Sequence, residues 1–165
     1  MTSDRITVTI SAIEEHHLAM LLDDFIELIG ESRNGEDPAV DRLTPNPYPD
    51  DPDAAADFAG STRKDLLDRR LVDARRMRGA LEDDAVPAAR LTDAEAARTR
   101  ELSITLDGLE SWLRTVTALR LVIADRLGIT TDEHTVSDSR HDVYDWLGYR
   151  LELLIQAADE AESRA

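Results

Sequence analysis

The chain has 165 residues, 42% of them apolar and only 4% aromatic, so the expectation is one domain with a core of Leu, Ile, Val and Ala. Lys and Arg number 19 against 35 Asp and Glu, a net charge of −16, which argues against a general positive field for nucleic acid. There is no cysteine, which excludes disulfides, thiolate metal sites and thiol redox chemistry in this chain. Met1 to Ile10 lacks the charged-then-apolar pattern of a signal segment, and no apolar run approaches the roughly 18 residues of a membrane span. A cytoplasmic protein is expected.

Ile6, Val8 and Ile10 alternate with Thr7 and Thr9, which predicts a short strand with one apolar face. Ser11 stands three residues before Glu14, a capping box that opens a helix running to about Ser32. Ile13, Leu18, Leu21, Leu22, Phe25, Leu28 and Ile29 form its inner side. From Asn34 to about Gly60, Pro38, Pro45, Pro47, Pro49 and Pro52 exclude a long helix. Acids gather there too: Glu36, Asp37, Asp41, Asp50, Asp51, Asp53 and Asp57. An irregular acidic segment over residues 34–60 is expected, with one short helical turn from Asp53 to Phe58.

A second long helix is predicted from Ser61 or Thr62, with Leu67, Leu71, Ala74 and Leu81 inward. Asp83 to Thr92, containing Pro87, reads as a loop, and Asp93 to Arg100 as a short helix. Leu102, Ile104 and Leu106 alternate with Ser103 and Thr105, a second strand. Asp107 and Glu110 repeat the acid-first capping pattern. The next helix carries Trp112, Val116, Leu119, Ile123 and Leu127 and ends at Gly128. Ile129 to Asp138 is a polar loop. A last helix from Ser139 to Glu162 buries Val143, Trp146, Leu147, Leu154 and Ala158.

Residues 6–14 and 102–110 share one grammar of strand, cap and helix. A lone strand leaves its backbone groups unsatisfied, so residues 6–10 are predicted to pair with 102–106. The fold class is mainly α. Residues 1–165 form a single-domain helical bundle with a short two-stranded ribbon, its core made by the first, second, fourth and last helical segments. Charged, Ala-rich helices with few aromatics often finish their burial in a homodimer, which is the expected assembly.

The string Arg42-Leu43-x-Pro45-x-x-Tyr48-x-Asp50-Asp51-Pro52 is succeeded by Phe58 and Thr62-x-x-Asp65-Leu66. Then come Trp112-Leu113, Leu119-Arg120-Leu121, Arg126-Leu127-Gly128 and Val143-Tyr144-Asp145-Trp146-Leu147-Gly148. In this order, over nearly the whole chain, these motifs resemble the actinobacterial oxidative-stress regulator (AosR) family, long catalogued as a domain of unknown function and encoded near the ClpS adaptor. The resemblance implies a cytoplasmic transcription regulator of the stress response that acts with a sigma factor. Redox-responsive members carry a pair of cysteines that this chain lacks, so their disulfide switch does not carry over. The family's Asn-Asp before Leu-Arg-Leu is here Thr117-Ala118, so a site built on that amide and carboxylate does not carry over either.

Residues 61–80 are basic within an acidic protein: Arg63, Lys64, Arg69, Arg70, Arg75, Arg76 and Arg78 against Asp65, Asp68 and Asp73. Arg69 and Arg76 point away from the Leu67–Leu71 face, and Arg70 and Arg78 flank it. One reading is a docking strip for an acidic partner or for phosphates. The other is a solvated ladder of Asp65–Arg69, Arg69–Asp73 and Asp73–Arg76 pairs. Arg69, Arg75 and Arg76, with Tyr48 in the Pro-rich segment, are the partner-binding candidates. The partner is a protein, with a sigma factor or a protease component as the candidates, and no cofactor is expected.

Arg120, Arg126 and Arg150 are candidates for structural ion pairing, Arg150 because it falls within the last helix's apolar stripe. Glu14-x-x-His17 and Asp138-x-x-His141 suggest an alternative, a metal-binding helical bundle using Glu14, His17, Glu110 and His141, whose ligand set is incomplete. A further alternative is direct DNA binding. No nucleophile signature or Gly-rich phosphate loop occurs, so the favoured reading is a non-enzymatic regulatory protein.

Overall fold

The alternating residues at 6–10 do form a strand. The computed structural model describes residues 5–31, 37–81, 88–130 and 139–164. In it β1 (Arg5–Ser11) pairs antiparallel with β2 (Thr99–Thr105), Ile6 opposite Ile104 and Val8 opposite Leu102. Ile6, Ile10, Leu102 and Ile104 are buried, so one face of the ribbon closes the core. The two expected strands do pair, but residues 6–10 lie opposite 104–100 rather than 102–106, and the second strand ends at Thr105. Leu106 leaves the strand for the next helix and is 39% exposed. The cap is Thr105 rather than Asp107: the Gly108 amide donates to Thr105 Oγ1 at 3.1 Å. Asp107 lies in the first turn, where its charge favours the helix dipole.

Ser11 and Glu14 form the capping box of α1 (Ala12–Glu31). The Glu14 amide donates to Ser11 Oγ at 3.3 Å, and the Ser11 amide to Glu14 Oε2 at 3.0 Å. Leu18, Leu22, Phe25 and Ile29 form its buried stripe. Arg100 of β2 binds Glu15 through two bonds, Nε to Oε2 at 2.8 Å and Nη2 to Oε1, which ties the ribbon to this helix.

The Pro-rich segment is more ordered than its composition suggests; Asn34 and Glu36 lie outside the described residues. It holds α2 (Pro38–Asp41) and α3 (Pro52–Phe58). Each proline opens its helix, where a missing N–H costs nothing, and each comes directly after an Asp cap. The Ala39 amide donates to Asp37 Oδ1 at 2.9 Å and the Ala54 amide to Asp51 Oδ1 at 3.0 Å. These two acids, loop charge by composition, are thus helix starts. Ala39, Val40 and Leu43 are buried, and α2 packs against the helix Leu106–Leu127, numbered α6 in chain order.

No new start occurs at Ser61 or Thr62. A π turn from Ala59 to Arg63 joins α3 directly to α4 (Lys64–Ala80). Ser61 Oγ donates back to the Asp57 carbonyl at 2.8 Å, instead of capping α4. After residues 82–87, which include Pro87 and lie outside the described residues, α5 (Asp93–Ala97) has a Thr92–Glu95 capping box. It is shorter than expected because Thr99 and Arg100 already belong to β2.

α6 ends at Gly128, whose φ of 68° is the left-handed conformation a helix stop requires. Asp138 and His134 lie outside the described residues. A 3-10 turn (Ser139–His141) leads into α7 (Asp142–Glu162). Here Val143 is 40% exposed, and Tyr144 is buried in its place. The Arg120 guanidinium sits 4.1 Å above the Tyr144 ring, which fixes that side of α7 toward α6.

The result is a mainly α single domain. α4 packs on α1 and α6, and α7 on α6. Leu67, Met77, Val116 and Leu147 are fully buried between them. No helix among the described residues is long and apolar enough to cross a membrane.

Candidate partner-binding face

The seam between α4 and α6 is where charge meets the core. Asp73 is 8% exposed. It accepts from Arg114 Nε at 2.8 Å and Nη2 at 3.0 Å, and from Ser111 Oγ at 2.9 Å. Arg76 Nη1 donates to Ser111 Oγ at 3.1 Å, so two arginines and a hydroxyl surround one carboxylate. The bonds from Arg114 hold the Asp73 carboxyl below its ordinary range, against the opposing effect of burial, with Ser111 adding to them. Asp73 in turn raises the Arg114 pKa. Arg70 lies beside them, and burial pulls its pKa down.

This overturns the ladder. Asp73 faces inward to Arg114 rather than outward between Arg69 and Arg76. On α4 a pair that does form at helical spacing is Lys64–Asp68, 2.8 Å apart. Arg69 and Arg75 are exposed, and no hydrogen bond or ion pair reaches them among the described residues. Arg69, Arg70 and Arg114 border a shallow groove of about 520 Å³ that also includes Leu66, Val72 and the acids Asp68 and Asp73. Val72 is 56% exposed, an apolar spot among charged side chains. Such a face suits an acidic segment carrying an apolar side chain.

Tyr48 does not join this face. It is 47% exposed and meets Phe58 edge-on, ring centroids 6.4 Å apart. Phe58 lies about 16 Å along the helix from Arg69, at roughly 1.5 Å per residue. Arg114 and Val72 were missed by sequence reasoning. One signal for Arg114 exists: Asp73 lies on the Met77 side of α4, and an inward acid demands a cation from elsewhere.

The structural arginines have distinct partners. Arg150 Nη2 lies 2.5 Å from Glu14 Oε2, and its Nη1 donates to the Thr9 carbonyl at 2.8 Å. Trp146 Nε1 donates to Glu14 Oε1 at 3.0 Å. Burial raises the Glu14 pKa, but the bonds from Arg150, Trp146 and Ser11 outweigh it and lower it from 4.5 to about 2. Arg126 Nη2 lies 2.5 Å from Asp37 Oδ2 and anchors α2 to α6. Arg120 stacks on Tyr144 and donates to its carbonyl at 3.4 Å.

The metal alternative does not assemble. Glu14 is held by Arg150 and Trp146, while Glu110 lies 3.5 Å from Arg114 at the α4–α6 seam. Among the described residues, no three of His, Asp and Glu come together as a ligand set.

A family described as a domain of unknown function (DUF2017) matches residues 1–158, and the chain belongs to it. No curated protein and no solved structure matches the chain.

Proposed function

We propose that this chain is a non-enzymatic regulatory protein that binds an acidic segment of another protein across the arginine face of α4. One observation carries the reading: Arg69 and Arg75 stand without partners among the described residues, in a chain of net charge −16. A protein this acidic repels most acidic surfaces, so a cationic face selects its partner locally. Arg70, Arg76 and Arg114 stand beside it, around Asp73 and Ser111.

The resemblance to the AosR family supports a narrower form. The partner is then a sigma factor or a protease component, in the cytoplasm, and the outcome is control of transcription in the stress response. Without cysteine, the signal is not a disulfide within this chain. A homodimer fits the same reading.

The test is affinity capture from native lysate, read by mass spectrometry, with wild type beside Arg69→Glu/Arg75→Glu. These two arginines bond to nothing among the described residues, so the double variant should fold as wild type does. Capture of a sigma factor or protease component by wild type alone supports the proposal. Equal capture by both forms rejects the face. In parallel, duplex DNA should bind weakly to both; tight, salt-sensitive binding abolished by the double variant would instead favour direct DNA recognition.

A further inference from the structure

A second surface, independent of the α4 face, lies along the free edge of β1. The Ala12 amide donates to the Arg98 carbonyl at 2.8 Å, which extends the ladder by one step. Even-numbered residues of β1 therefore turn their main chain toward β2, and odd-numbered ones turn it away. On that outer edge the Thr9 carbonyl is taken by Arg150 and the Ser11 amide by Glu14. The Thr7 amide and carbonyl and the Thr9 amide have no partner among the described residues.

The stretch from Thr7 to Ile10 borders a cavity of about 320 Å³ between β1 and α7. That edge is roughly 10 Å long at about 3.3 Å per residue. Buried Met77, Trp112 and Val116 line the cavity, as do Leu153 and Ala157 of α7. Unpaired strand groups beside an apolar hollow are the geometry of strand addition.

Charge selects the occupant. Among the described residues, Arg150 is the one cation lining the cavity, and Glu14 already neutralises it, while Glu160 also lines it. The whole chain adds its long-range −16. A second copy would bring the same charge. We propose that this edge takes an extended, cationic peptide segment, which hydrogen-bonds to Thr7 and Thr9 and sends alternate apolar side chains into the cavity.

Both tryptophans of the chain line the cavity, so their emission reads its occupancy. The probe is the capped hexapeptide acetyl-KVTVKV-amide, titrated into the full chain. Its controls are an analogue N-methylated at alternate valines and one with Glu replacing Lys. Saturable 1:1 binding is expected, with each control at least about tenfold weaker at low salt. Thr7→Pro removes an amide that the ladder does not use, so the ribbon should survive while binding falls about tenfold or more. Should that variant fail to fold, Ala157→Phe fills the cavity and should abolish binding.

Equal binding of the N-methylated peptide, or no saturable change with any probe, would overturn the proposal. Sedimentation decides the remaining occupant: a concentration-dependent dimer that Thr7→Pro dissolves would mean that a second copy holds the edge, which also overturns it.

Discussion

Glu14 and Asp73 are carboxylates clamped by an arginine from another helix, yet they sit in different surroundings. At the ribbon, the Arg150 side chain is only 16% exposed, and the Trp146 indole also binds Glu14. At the α4–α6 seam, the Arg114 side chain is 48% exposed and borders an open groove. With its guanidinium turned away from water, the first cluster fastens elements together. An open one holds its carboxylate firmly but keeps cations facing outward. The first is a structural clasp, and the second can serve recognition without dismantling the fold.

The largest effect should come from breaking the closed clasp. Glu14→Ala strands Arg150 and Trp146 and removes half a capping box, at a cost of about 3–5 kcal/mol in urea unfolding. The same cluster has a pH signature. The folded pKa of Glu14, about 2, lies below the ordinary 4.5, so the unfolded chain takes up its proton first. Glu14 therefore contributes stability fully above about pH 5, and that contribution is lost as pH falls toward 2. Glu14→Gln should flatten this part of the stability profile; an unchanged slope would show that the clasp is not ionic.

Asp73→Ala should cost less, about 2 kcal/mol, since a half-exposed Arg114 regains water when its partner goes. Equal losses for the Glu14 and Asp73 variants would erase the contrast between closed and open clusters. Smallest of all, Arg69→Glu should alter stability by no more than about 0.5 kcal/mol. It should nevertheless weaken partner capture in a salt-dependent way, measured by titrating salt during the pull-down. A large stability loss in this variant would place Arg69 in the structure rather than on the binding face.

These differences trace to how far each residue's meaning is local. Ser11 with Glu14, and Gly128 after Leu127, announce themselves within a few positions, and the structure keeps both. The prolines mislead for the opposite reason: Pro38 and Pro52 look like breakers, while each in fact opens a helix behind an Asp cap. Asp73, judged by its neighbours at helical spacing, belongs to a ladder. Its real partner, Arg114, is 41 residues away. The candidate face is half legible, since the basic character of residues 61–80 is plain in the sequence, whereas the groove needs Arg114 from α6.

The sequence by itself determined the mainly helical class, the ribbon and its alternation of apolar residues, the Ser11–Glu14 cap, the Gly128 stop, and the excess of arginine on α4. Each of these comes from periodicity or from hydrogen bonds that close within a few residues. Only the tertiary structure decided which carboxylates are buried, which arginines are consumed by them, and which edge of β1 is left open. Those outcomes depend on elements distant in sequence competing for the same polar groups, and spacing along the chain carries no record of that competition.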